Sequence, residues 1–163
     1  MSTVVVTKLI DVPAEELWRT FTDLPARVSW LSTVQSVEVL TKGRFAAGTV
    51  WRETRSLPDG GTVTEEFEVV EATAPHRLSV TSPGIGVDYR TTYTFSPSRL
   101  RRRRARTAVS VVQEAIPTAP YGRVLAVLFG GLAARTVEGA LRRDLADLAG
   151  ATRAVDTGPA AAA

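Results

Sequence analysis

Trp51, Glu53 and Arg55 occupy alternate positions in the stretch Gly48-Thr49-Val50-Trp51-Arg52-Glu53-Thr54-Arg55. In an extended strand, residues two apart share a face. If the Trp51 indole points into an interior, a carboxylate and a guanidinium point there with it. Charged side chains stay out of an interior unless paired. The pattern therefore offers either a charge-assisted pair or polar groups held against a ligand. Glu65 adds a third group, in phase with Val63, Phe67 and Val69 on the following stretch. Against a chemical role, a pair of Arg55 with Glu53 or Glu65 satisfies itself, and an Arg55 near the hairpin tip is solvated. Tyr89 and Tyr93 share a face with Val87 and Phe95. A tyrosine facing a pocket offers an apolar wall and a hydroxyl that needs a partner; ordinary core packing explains the rings equally well.

Other chemistries find less support. One histidine and no cysteine cannot build the usual zinc sphere, so no metal and no cofactor is expected. Phosphate loops, dinucleotide fingerprints and a nucleophile-elbow serine are missing from the sequence. His76 lies in the turn Ala74-Pro75-His76-Arg77, where a polar loop residue is the simpler reading than a general base. Arg99, Arg101, Arg102, Arg103, Arg104 and Arg106 form a basic run. Four consecutive arginines in a strand would send two inward at a high desolvation cost. The run is therefore read as a solvated hairpin loop. It has no interleaved aromatics to stack bases, so no specific nucleic-acid partner is expected.

The elements that must position these residues follow from periodicity. Residues 3–10 read as a Val/Ile-rich strand. Pro13, Glu15 and Glu16 suit the first turn of a helix, with Leu17, Trp18, Phe21 and Leu24 on its apolar face. Pro25 ends it, and Ala26–Ser32 forms a second short turn. Six alternating stretches follow, punctuated by Pro58-Asp59-Gly60-Gly61, Ala74-Pro75-His76-Arg77 and Pro83-Gly84-Ile85-Gly86. From Pro120 to about Ala149 the period is helical. Leu125, Phe129 and Leu132 mark its first half; Val137, Leu141, Leu145 and Leu148 mark its second. The two stripes are out of phase at Gly130-Gly131, which predicts a bend or local unwinding there. Strands clustered between helices predict an α+β fold with a helix packed on an antiparallel sheet.

The 163 residues fit one domain spanning 1–150, with 151–163 a disordered tail. A chain of this length buries about 70% of its extended-chain surface, enough for a core and an internal pocket. Hydrophobic and charged fractions of 44% and 23% are ordinary for a globular protein. The net charge of +3 rests on arginine, Lys8 and Lys42 being the two lysines; bulk charge of this size does not point to nucleic acid. No leader is read at the N-terminus. The apolar stretch Val124–Ala134 is eleven residues long, short of the ~20 that span a bilayer. The absence of cysteine is compatible with a cytoplasmic location.

Ile10-Asp11-Val12-Pro13-Ala14-Glu15-Glu16-Leu17-Trp18, Asp23-Leu24, Trp30, Gly48-Thr49, Ala74-Pro75-His76-Arg77-Leu78 and the long C-terminal helix together resemble the polyketide cyclase/dehydrase-like family of the SRPBCC, or START-like, superfamily. The resemblance covers residues 3 to 149. It implies a helix-grip fold, a curved antiparallel sheet of about seven strands around the long C-terminal helix, with two short helices after strand 1. It also implies a cavity between sheet and helix, with Trp30 near its mouth. Combined with the inward parities, the expected lining is Trp30, Trp51, Phe67, Tyr89, Tyr93 and Phe129. The expected function is binding of a small hydrophobic or aromatic molecule. The alternative is an enzyme of the cyclase/dehydratase kind acting on a poly-carbonyl chain. There Arg55 would steady an enolate, and Glu53, Tyr89 or Tyr93 would move the proton.

Overall fold

The computed structural model describes residues 2–98 and 105–156, and the side chains at 3–98, 105–119 and 135–153. β1 (Ser2–Ile10) leads into α1 (Ala14–Thr22) and the one-turn α2 (Arg27–Trp30). β2 (Val34–Val39), β3 (Val50–Ser56), β4 (Thr62–Thr73), β5 (Arg77–Pro83), β6 (Val87–Ser98) and β7 (Arg106–Pro117) follow, and α3 (Pro120–Asp156) ends the chain's described part. The strands form one antiparallel sheet in the order β1-β7-β6-β5-β4-β3-β2. From β2 to β7 each strand pairs with its successor, as short turns allow; β1 then joins the far side of β7. α3 packs on β1, β7 and α1. This is the α+β arrangement that the residue pattern predicts and the helix-grip order that the resemblance implies.

Local chemistry explains the elements that flank the cavity. Pro13 caps α1 in an extended conformation, and Glu15 and Glu16 sit in its first turn, where the helix dipole favours negative charge. Leu17 and Phe21 are buried beneath it, and Trp18 meets Phe95 edge-on at 5.8 Å. The β3–β4 turn places Gly60 at φ +86°, a left-handed conformation that glycine adopts without a Cβ clash. Asp59 Oδ1 accepts the Gly61 N–H at 2.9 Å in the same turn. That turn sets the register Trp51↔Phe67 and Glu53↔Glu65. Alternation then does the rest: Val6, Ile10, Leu78, Val80, Phe95, Val109 and Val111 point into the core, where Leu141, Leu145 and Leu148 of α3 meet them.

Two expectations about α3 are corrected. The helix continues through Gly130-Gly131 without interruption, so the local unwinding expected there does not occur; backbone hydrogen bonding outweighs the local cost of glycine. Nor does the helix stop near Ala149. It runs to Asp156, and Thr152 is fully buried, its hydroxyl donating to the Leu148 carbonyl at 2.9 Å. A threonine spaced four from Leu148 continues the apolar stripe, so residues 151–156 belong with the helix rather than with a tail. The arginine loop and Phe129 fall elsewhere: residues 99–104 and the Phe129 side chain lie outside the described residues. Arg106, the last of the basic run, pairs with Asp11.

Candidate functional site

A cavity of about 180 Å³ lies between the concave face of the sheet and α3. Its apolar walls are Phe21, Trp51, Phe67, Val80, Tyr93, Val137 and Leu141. Trp51 stacks on Phe67 with ring centroids 5.2 Å apart, and Phe21 lies 4.6 Å from Tyr93. Ala140 adds to these walls, and the polar lining residues Arg27, Arg55, Glu65, Thr91, Gln113 and Asp144 face the same space.

The polar end is built on a chain of four charges. Arg27 donates through Nε to Glu53 Oε2 at 2.9 Å. Arg55 donates to Glu53 Oε1 at 2.6 Å and, through its NH1 group, to both oxygens of Asp144 at 2.9 Å. Glu53 is 1% exposed and Arg27 5%. Burial of this depth is tolerated because each charge has an opposite one in hydrogen-bonding contact. The Trp51 Nε1–H also points at Glu53 Oε2, at 3.4 Å. The Arg27 guanidinium lies 5.0 Å from the Phe21 ring centroid, 5.7 Å from Trp30 and 5.9 Å from Trp51, within cation–π range.

The charges shift in opposite directions. Burial pushes the Glu53 carboxyl up, but Arg27 and Arg55 on either side outweigh it and hold it below the usual carboxylate range. Burial raises Asp144, and the opposing pull of Arg55 does not fully cancel it. Glu65 is also raised, by burial first, with Arg55 opposing and Glu53 and Asp144 adding to the rise. Burial, aided by Asp144, pushes the Tyr93 phenol up to about 12, so it stays protonated at neutral pH.

Set against the expected site, the structure brings Trp51, Phe67, Tyr93 and Arg55 together on the cavity. Glu53 lies behind this surface, enclosed by the two arginines, and its oxygens are already engaged. Tyr89 keeps inward parity, but its ring sits over Gly84 of the β5–β6 turn, where a Cβ would approach within 2.9 Å; it is not part of the cavity lining. Trp30 lies behind Phe21 rather than on the cavity, 6.4 Å from that ring, and its buried Nε1 has no partner among the described residues. His76 is in the β4–β5 turn, away from the cavity lining. Gln113 faces the cavity, which turns its neighbour Glu114 to the other side of β7.

Two charged residues of the site, Arg27 and Asp144, went unread in the sequence, and a signal was present for Asp144. Arg27 opens the one-turn α2, and the buried Leu24 and Leu31 on either side lie outside that helix, so no helical spacing marks it. Asp144 is three after Leu141 and four before Leu148, both buried. Such spacing puts a residue on the apolar face of a helix. A charge at that position is a candidate partner for any charge sharing a strand's inward face. A further tie holds α3 in place: the Ser32 N–H and hydroxyl both donate to Asp147 Oδ2, at 2.8 and 2.7 Å.

Among solved structures, the fold is similar to that of the protein TTHA0849 from Thermus thermophilus, at 22% identity and a TM-score of 0.72, covering 95% of this chain and 99% of that one. It is also similar to a START superfamily protein from Mycobacterium smegmatis, at 14% identity and a TM-score of 0.70, covering 95% and 99%. The di-domain ARO/CYC BexL of the BE-7585A biosynthetic pathway matches at 17% identity and a TM-score of 0.64, over 96% of this chain and 51% of that one. These likenesses are of fold. No curated protein matches the sequence. No helix among the described residues is long and apolar enough to cross a membrane. Residues 1–152 match the model of one family along almost the whole chain, and the protein belongs to the polyketide cyclase/dehydrase and lipid transport family.

Proposed function

We propose that this protein binds a small, largely aromatic molecule in the cavity between the sheet and α3. The carrying observation is the lining itself: four aromatic rings, Phe21, Trp51, Phe67 and Tyr93, face one space that ends in polar groups. An apolar concavity with a few convergent polar groups is the usual form of a small-molecule site. The family description, which joins cyclases, dehydrases and lipid transport, supports a hydrophobic ligand. The cysteine-free composition supports a cytoplasmic place of work.

The test is binding of N-phenylnaphthylamine, whose fluorescence rises in an apolar site. Saturable binding at one dye per chain is expected. Val137 enters the cavity from the helix side, so Val137→Trp should abolish the signal. Val70 is exposed, so Val70→Trp should leave it intact. Absence of saturable binding, or equal binding by the Val137→Trp variant, would refute the proposal.

A second reading, cyclase or dehydratase chemistry, draws on one specific observation. Arg55, Glu65 and Tyr93 line the same cavity, and neither the Glu65 carboxyl nor the Tyr93 hydroxyl makes a side-chain hydrogen bond among the described residues. Carbon–carbon closure needs a group that removes a proton and one that steadies the resulting oxyanion. Glu53 and Tyr89, engaged elsewhere, drop out of that role. Turnover of a poly-carbonyl substrate that is lost in both Glu65→Gln and Tyr93→Phe would favour this reading over binding alone.

A further inference from the structure

Resting on the reading of the cavity as a small-molecule site, we propose that Glu65 anchors a protonated amine, and that the ligand is therefore an aromatic or apolar molecule carrying an ammonium group. Arg27 and Arg55 carry two positive charges, and Glu53 and Asp144 carry two negative ones in direct contact with them. That chain is balanced. Glu65 is a further charged group on the cavity, and it makes no ion pair or hydrogen bond among the described residues.

The arginines are also poorly placed to receive an anion. Arg55 already donates to Glu53, Asp144 and Thr33. Arg27 already donates to Glu53 and to the Phe21 carbonyl at 3.4 Å. A ligand carboxylate would meet guanidinium groups whose charge Glu53 and Asp144 already offset, and would face the surplus charge of Glu65. An ammonium meets the opposite conditions. It neutralises Glu65, and the faces of Phe67, Trp51 and Tyr93 supply the negative side of their ring quadrupoles nearby. Cross-strand pairing fixes Glu65 opposite Glu53, two residues along the strand from the Trp51–Phe67 stack and on the same face. The carboxylate and the aromatic wall are thus presented to the same molecule. Burial costs the Glu65 carboxylate its hydration and raises its affinity for a proton, and Arg55, whose bonds go to Glu53 and Asp144, offsets that only in part; a bound ammonium supplies a counter-charge of its own.

Phenethylamine, phenylethanol and phenylacetate share a phenyl ring on a short tether and differ in charge. Each is titrated against bound N-phenylnaphthylamine at neutral pH. Phenethylamine should displace the dye roughly tenfold or more better than phenylethanol, the scale of a hydrogen bond to a charged group. Phenylacetate should be the weakest. In Glu65→Gln the amine should fall to within about twofold of the alcohol, while Glu65→Asp keeps part of the preference. Because Glu65 bonds to nothing in the described protein, Glu65→Gln should melt no lower than the wild type. Equal displacement by all three compounds, tightest binding of phenylacetate, persistence of the amine preference in Glu65→Gln, or a Glu65→Gln variant that does not fold would each overturn the inference. Dye binding without amine preference refutes this inference and leaves the cavity reading standing. Failure of the dye itself to bind removes both.

Discussion

At the scale of single residues, Glu53 decides how the site is held. It joins α2 to α3 through two arginines, and its burial is tolerable because each of its oxygens accepts a hydrogen bond from one of them. Removing one member of a buried pair leaves an uncompensated charge, which costs about 3–5 kcal/mol. Glu53→Gln should therefore lower the unfolding free energy in urea by about that much, with Arg27 the group left unpaired. A loss below about 1 kcal/mol, the scale of exposed ion pairs, would mean that the chain of charges is solvated. The pH dependence follows from the lowered carboxyl. Its folded-state value lies below the ordinary 4.5, so the folded protein holds fewer protons on this group than the unfolded chain. The stabilisation is complete above the ordinary value and is lost as pH falls through the folded one. Glu53→Gln should flatten this part of the acid limb of the stability curve.

The elements carry the residues by periodicity, and α3 shows both the strength and the limit of that rule. Its second half follows Val137, Leu141, Asp144, Leu148 and Thr152, spaced three or four apart along one face. The face continues to Thr152, which is buried and bonded to the preceding turn. A chain ended at Gly150 should therefore be less stable than the full protein. Loss of a buried hydrogen bond and its turn is worth about 1–2 kcal/mol, or several degrees in melting temperature for a protein of this size. An unchanged melting temperature would show that the last turn contributes nothing. The β3–β4 hairpin works at the same scale. One left-handed glycine at its tip sets which residues oppose one another, and hence brings Trp51 to Phe67 and Glu53 to Glu65.

At the scale of the whole molecule, the cavity exists because a curved sheet and a long helix meet around it. A ligand there touches both, so it stabilises the folded state as a unit. At a hundred times its dissociation constant a ligand adds about 2.7 kcal/mol. Wild type saturated with such a ligand should melt several degrees higher, and Val137→Trp should show no shift. A ligand-induced shift retained in Val137→Trp would place the binding site elsewhere.

Features that depend on neighbours in the chain were legible in the residues alone. The period of two put Trp51, Arg55, Phe67 and Tyr93 on inward faces. Proline, glycine and acidic turns placed the ends of α1 and of the strands. The motifs from Ile10 to Trp18 and onward pointed to the family. Tertiary structure decided which inward residues meet. Tyr89 and Tyr93 have the same parity, yet one packs over Gly84 and the other lines the cavity, because parity gives direction and not position along the strand's axis. Arg27 and Asp144 come from a one-turn helix and from a helix 117 positions later in the chain. Their meeting around Glu53 and Arg55 is a product of α3 folding back across the sheet. A lone charge on an apolar helical face shows that a partner is needed. The three-dimensional packing alone names that partner, because low-dielectric burial selects whichever opposite charge the fold brings within hydrogen-bonding distance.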